Sequence, residues 1–302
     1  MPTAGPIRLG ISPIAWSNND MLELGGETSL ETCLSEMREA GFTGTETGVK
    51  FHSDAEVLRP VLEPHDLEIV SGWFSGELLE QSVEAERDRM TEQMELFREL
   101  GAGVHIYAET SGTVQATMDA PLSSRPRLSE EDIKAYGKKL TELAEWMADF
   151  GVPMTYHHHM GTVFETQREI DLLMANTGQA VGLLLDTGHL AFAGGDIAET
   201  TRRHGRRINH VHCKDLRADV LKAVRQQDKS FLAGVLEGVF TVPGDGFIDF
   251  YDFARVLADI GYEGWVVVEA EQDPAKAPPF EYSLMGRRHL TAAFEAAGYR
   301  IA

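Results

Sequence analysis

Acidic and imidazole side chains recur at matching places in the second half of the chain. VGLLLDTGH ends an aliphatic run on Asp186, INHVHCKD carries His210 and His212, and GWVVVEAEQD carries Glu269 and Glu271. Carboxylate oxygens and ring nitrogens with no thiolate among them suit Mn2+, Co2+, Mg2+ or Zn2+ rather than a soft metal. An acidic group closing an apolar run is costly to desolvate unless it is paired or bound to a cation. The plain alternative for Asp186 is an N-cap for a following helix. Upstream, YHHHMGT sets His157, His158 and His159 in a row, a further candidate for metal binding or proton transfer. Ion pairing among these residues is the bland reading of the whole set.

The elements that must position these groups are legible as an alternation of short apolar stretches with longer amphipathic ones, the signature of a parallel α/β fold. Strands are expected at Arg8–Ile14, Thr43–Thr47, Leu67–Gly72, Val104–Ala108, Pro153–His157, Val181–Asp186, Ile208–Cys213 and Trp265–Glu269. Helical patterns run from Leu30 to Ala40, Val83 to Leu100, Glu130 to Phe150 and Phe250 to Ile260, with Gly41, Gly101, Gly151 and Gly261 placed as left-handed caps. About eight strand and helix pairs without an internal linker predict a single (β/α)8 TIM barrel domain over residues 1–302. Strand parity then puts His210 with His212, Trp265 with Glu269 and Glu271, and His157 with His159, each set on one face. Cys213 falls on the opposite face from His212 and reads as packing. The stretches Thr110 to Leu128 and Lys214 to Gly246 read as long loops over the C-terminal face of the barrel.

Composition narrows the functions. The net charge is -21, from 48 acidic and 27 basic residues, and such a field repels polyanions, which argues against nucleic acid as a partner and against a DNA phosphodiesterase on this barrel. No apolar run approaches the length of a membrane span, and the start has no export pattern. Two distant cysteines, Cys33 and Cys213, make no disulfide framework, so a reducing cytoplasmic location is expected. Self-association into a homo-oligomer is left open.

Taken together, ISPIAWSNNDMLELGGE, GFTGTETG, YHHHMGT, LLLDTGHLAFAGGD, HVHCKD, GVFTVPGDGFIDF and GYEGWVVVEAEQDP resemble the xylose-isomerase-like barrels. Within these they are most similar to the inosose dehydratases of myo-inositol catabolism, and the resemblance spans nearly the whole chain. It implies a lyase removing water from a cyclic polyol ketone, 2-keto-myo-inositol, with Mn2+ or Co2+ as metal and glutathione as a further cofactor. The family's metal ligands fall on Asp186, His212 and Glu269. Its first ligand is usually a Glu on the fifth strand, where this chain has His157, which leaves the fourth ligand open among His157, His159 and Glu165. In such a reaction Glu269 or Glu271 is the candidate base, and His189 or a fifth-strand histidine the candidate acid. Lys214 either holds a substrate oxygen or faces the helices paired with Asp215. Trp16, Glu46 and Trp73, at the exits of the first three strands, are expected to line the pocket, aromatic faces suiting the apolar faces of cyclic polyols. For Glu46 a cap or an ion pair is the alternative. An isomerase or epimerase on the same metal-dependent barrel is the competing activity.

Overall fold

The computed structural model describes residues 4–302. Eight parallel strands follow one another around a closed ring: β1 (Pro6–Ile11), β2 (Gly44–Thr47), β3 (Glu68–Gly76), β4 (His105–Glu109), β5 (Met154–His157), β6 (Gly182–Asp186), β7 (Ile208–Cys213) and β8 (Gly264–Val268). Closure is made by β8 against β1, with Leu9 opposite Val266 and Ile11 opposite Val268. The short strand Arg300–Ile301 adds to β1 beside Pro6 and Ile7. This is the (β/α)8 barrel that the alternation predicts.

Helices α1 (Leu30–Glu39), α2 (Ala55–Leu62), α3 (Val83–Leu100), α4 (Glu130–Phe150), α5 (Gln167–Ala175), α6 (Thr187–Phe192) and α7 (Ile197–His204) occupy the connections of the first seven strands. They start where the sequence supplies caps: the side chains of Ser82, Ser129 and Thr166 accept amide protons from the first turns of α3, α4 and α5. The main core lies between strands and helices, where Leu34, Met94, Phe97, Leu140, Leu143 and Ile170 are fully buried. Among the described residues no helix is long and apolar enough to cross a membrane.

The lower barrel interior is a separate small cluster of Val70, Trp265 and Val267, with the Arg8 guanidinium 4.1 Å from the Trp265 ring. Trp265 fits only because β2 carries Gly44 opposite it. A Cβ at that position would lie 2.4 Å from Val70 Cγ1 and 2.5 Å from Trp265 Cη2. Above this apolar plug the interior turns polar, and the C-terminal strand ends look into a cleft.

Three segments depart from the sequence reading, one of them β3, which runs on to Gly76 past the expected end at Gly72. The first strand ends at Ile11 instead of Ile14, because Pro13 has no amide proton to give a strand neighbour and instead starts a 3-10 turn, Pro13–Ala15. The stretch from Lys214 to Gly246 is no open loop. It holds α8 (Ala218–Gln226), α9 (Phe231–Leu236) and an antiparallel pair, Asp215–Leu216 with Phe240–Thr241. Its apolar residues Leu221, Val224, Phe231 and Val235 are buried. Asp215 ties it down, its carboxylate accepting from the amides of Leu216, Gly244, Gly246 and Ile248 at 2.8–3.1 Å. The chain closes with α10 (Phe250–Asp259), β8 and α11 (Pro279–Ala296).

Candidate metal centre and cleft

Period two along the strands aims Asp186, His212 and Glu269 at one point at the top of the barrel, and His157 from β5 joins them. These four buried residues each bring a donor atom within 4.8 Å of the others. Asp186 Oδ2 lies 3.8 Å from His157 Nε2 and 3.6 Å from His212 Nδ1, and His212 Nδ1 lies 3.1 Å from Glu269 Oε2. Ligand atoms around an ion with tetrahedral bonds near 2.1 Å stand about 3.4 Å apart, so the spacing fits a bound cation.

Asp186 caps a helix with one carboxylate oxygen and leaves the other free. Its Oδ1 accepts the His189 amide at 2.8 Å and caps α6. Its Oδ2 is buried with no hydrogen-bond partner, a carboxylate oxygen left for something other than protein. Burial pushes the Asp186 pKa up, against the pull of Lys214 and His212.

The two imidazoles are each fixed by a contact at the other ring nitrogen. His157 gives Nδ1–H to the His158 carbonyl at 2.6 Å, which leaves the Nε2 lone pair facing Asp186. His212 Nε2 lies 2.9 Å from Glu46 Oε1, which leaves Nδ1 for the cluster. Glu46 also accepts from Ser71 Oγ at 2.7 Å and lies 3.0 Å from His210 Nε2. Burial would raise the Glu46 pKa, but His212 and His210 hold it down at about 2. A buried carboxylate behind a histidine is the arrangement that fixes the tautomer and ring angle of a metal ligand. Glu46 therefore orients the cluster from behind as well as bordering the cleft. Sequence reasoning missed Ser71, whose only signal is a small polar residue inside the apolar run of β3.

Lys214 is fully buried and points inward, so the pairing with Asp215 is not formed. Its Nζ lies 2.8 Å from Glu269 Oε2, 2.5 Å from Glu271 Oε2 and 2.9 Å from His189 Nε2. Burial would lower its pKa, but Glu269 and Glu271 hold it above the ordinary lysine range. Glu46, Asp186, Glu269 and Glu271 are thus four buried carboxylates answered by one ammonium. Left ionised, a buried set of that kind calls for more positive charge than one ammonium carries, which a divalent cation would supply. Without one, His212 takes part of that role: burial disfavours its charged form, yet Glu46 and Glu269 hold its pKa well above the imidazole norm.

The remaining candidates separate cleanly. Trp73, His159 and Glu271 line the cleft with His157, His212 and Glu269. Trp73 packs edge-on to His157 and His159, with ring centroids 5.5 Å away in each case. Trp16 does not line it: the 3-10 turn after β1 swings the indole into the core, where Nε1 donates to Glu36 at 2.6 Å and the residue is 1% exposed. Glu165 is also elsewhere, paired with Arg125 at 3.2 Å and accepting the Gly161 amide at 2.8 Å. His189 is buried beneath Lys214 and is absent from the cleft wall. Asn19 and Asp20 complete the rim; their signal in the sequence is the polar run SNND at the exit of β1.

Comparison with known proteins agrees with this architecture. The family model described as xylose isomerase-like TIM barrel matches residues 34–292. The rhizopine catabolism protein MocC of Rhizobium meliloti is 52% identical over 98% of this chain and 91% of its own length. An inosose dehydratase of Geobacillus thermodenitrificans is 45% identical over 94% of this chain and 96% of its own. Among solved structures, the IOLI protein with a bound zinc atom superposes with a TM-score of 0.66 at 17% identity, covering 97% of this chain and 98% of that one. Strand order, the polar cluster at the C-terminal barrel end and these matches agree: the chain belongs to the xylose isomerase-like TIM barrel family.

Proposed function

We propose that the chain is a divalent-metal-dependent hydro-lyase that removes water from 2-keto-myo-inositol (scyllo-inosose) to give a trihydroxycyclohexane-1,2-dione. The observation that carries this reading is the unpartnered, buried Oδ2 of Asp186 facing His157, His212 and Glu269, in a chain 45% identical to an inosose dehydratase. His157, Asp186, His212 and Glu269 are the proposed ligands, and their oxygen and imidazole donors suit Mn2+ or Co2+. A cation held there supplies Lewis-acid polarisation of a substrate carbonyl.

The side chains supply the proton transfers. Glu271, on the cleft wall, is the proposed base for the hydrogen on the carbon beside the carbonyl, and Lys214 holds its carboxylate in place at 2.5 Å. His159 is the proposed acid for the departing hydroxyl. Its Nδ1–H is tied to the Met160 carbonyl at 2.8 Å, so Nε2 is the atom through which a proton would pass to the departing group. His189 positions Lys214. Trp73 offers its ring to an apolar ring face, and Asn19 and Asp20 offer polar atoms to the hydroxyls. Loss of the α-proton and of the neighbouring hydroxyl as water leaves an enol that becomes the dione. Glutathione is given no step in this scheme.

Incubation of the purified protein and Mn2+ with 2-keto-myo-inositol, followed by NMR, is expected to yield the dione. Epimerised inosose with no dione would replace the dehydratase by an epimerase. A second reading has its own support, since identity to the rhizopine catabolism protein, 52%, exceeds the 45% to the inosose dehydratase. Parallel assays with a rhizopine separate the two substrates. Within the first reading, Glu46→Gln is expected to weaken Mn2+ binding by about 10–100-fold, because His212 loses its anionic anchor. Calorimetric titration of chelator-treated protein measures this, and an unchanged affinity would remove Glu46 from the metal's support.

A further inference from the structure

A second set of donor atoms stands beside the tetrad. His159, His189 and Glu271, all buried, bring one atom each within 4.8 Å of the others. In the neutral rings the nitrogens that face this group are lone pairs. His159 spends Nδ1–H on the Met160 carbonyl, which turns Nε2 toward Glu271 Oε1 at 3.7 Å. His189 Nε2 meets an ammonium at 2.9 Å, and an ammonium has only protons to give. Two imidazole lone pairs and a carboxylate repel one another unless a cation lies among them.

Lys214 is that cation. Its Nζ touches His189 and Glu271 of this set and also Glu269 of the tetrad, with Asp186 Oδ2 at 3.8 Å. It stands between the two groups, as the second ion does in centres where two metals lie about 3.5–4 Å apart. Its stem is fixed to reach this point. The Lys214 amide donates to Thr187 Oγ1 at 3.0 Å, and Nζ lies 4.9 Å from the Phe240 ring centroid. Gly188 closes over the methylenes so tightly that a Cβ there would come 2.6 Å from Lys214 Cγ.

We propose that Lys214 is the built-in second cation of an otherwise dinuclear centre: His159, His189 and Glu271 form a metal site that the ammonium keeps closed, and that opens when the lysine is removed. This rests on the reading that the tetrad holds a divalent cation. A tethered ammonium is not lost to chelators, and it offers N–H donors where an ion would offer open coordination positions.

The test is metal stoichiometry, measured after equilibration with Mn2+ and removal of excess. About one ion per chain is expected for the native protein, about two for Lys214→Met, and about one again for the double variant with Glu271→Gln. A Lys214→Met protein that keeps a single ion overturns the proposal while leaving the tetrad reading intact. Ions absent from both proteins overturn both. Should Lys214→Met fail to fold, native crystals soaked in rising Mn2+ decide by anomalous scattering. Signal confined to the tetrad supports the proposal, and signal at His159, His189 and Glu271 overturns it.

Discussion

Asp186→Asn is expected to lower kcat/KM by about 10^3-fold, because it removes a charged ligand from a site whose chemistry depends on electrostatic stabilisation. Copurifying Mn2+ or Co2+ should fall in parallel. The same substitution is expected to leave the chelator-treated protein at least as stable as the native chain under the same treatment. In the metal-free state Asp186 has one buried oxygen with no partner, and burial raises its pKa. Replacing an uncompensated buried charge with a neutral group of equal shape is neutral or stabilising. The carboxamide introduced by Asp186→Asn would still present an oxygen to the His189 amide and keep the α6 cap. Thermal denaturation with and without chelator, beside metal analysis and kinetics, separates the two effects. Full turnover in Asp186→Asn, or in His212→Ala, would show that the cluster takes no part in the chemistry.

Glu271→Gln is expected to cost about 10^2–10^4-fold in kcat with little change in metal content, the range for loss of a positioned base. The side chain reaches the cleft from the same face of the strand end as Glu269, two residues further out. The carboxamide introduced by Glu271→Gln could still accept from Lys214 but could not take a proton. In D2O the native enzyme should incorporate deuterium at the carbon beside the carbonyl, and Glu271→Gln should do so far more slowly. If exchange persists while dione formation stops, Glu271 belongs to the departure of hydroxyl, and its role and that of His159 exchange.

The barrel is legible in the sequence because strands packed on both faces demand nearly unbroken apolar runs, and polar residues such as His157 and Asp186 close them at the exits, although Ser71 and His210 lie within β3 and β7. The pairing of His210 with His212 and of Glu269 with Glu271 follows from strand parity alone. Parity carries past the end of β8 at Val268 to Glu269 and Glu271, but it does not settle every side chain beyond a strand end. Lys214 follows β7, and its direction is set by the clamp of Gly188 and Thr187, which no local pattern announces. Trp16 escapes sequence reasoning for the complementary reason: Pro13 stops the strand early and the chain turns before the indole. Glu46 reads as pocket wall, cap or ion pair with no partner named, since His210 and His212 lie 164 and 166 residues away. Contacts of that separation are a property of the closed ring.

The same alternation that sends His212 inward sends Cys213 outward into the helix layer, where it is 0% exposed, and Cys33 is 1% exposed. Burial raises the thiol pKa of both, that of Cys33 to about 11. Thiolate is the form that attacks disulfides and alkylating agents, so the folded chain is chemically silent toward both. A glutathione thiol meeting this protein finds no cysteine sulfur at its surface with which to form a mixed disulfide. Any effect of glutathione on turnover then acts through the metal, the substrate or non-covalent binding, and iodoacetamide should leave the native protein unlabelled.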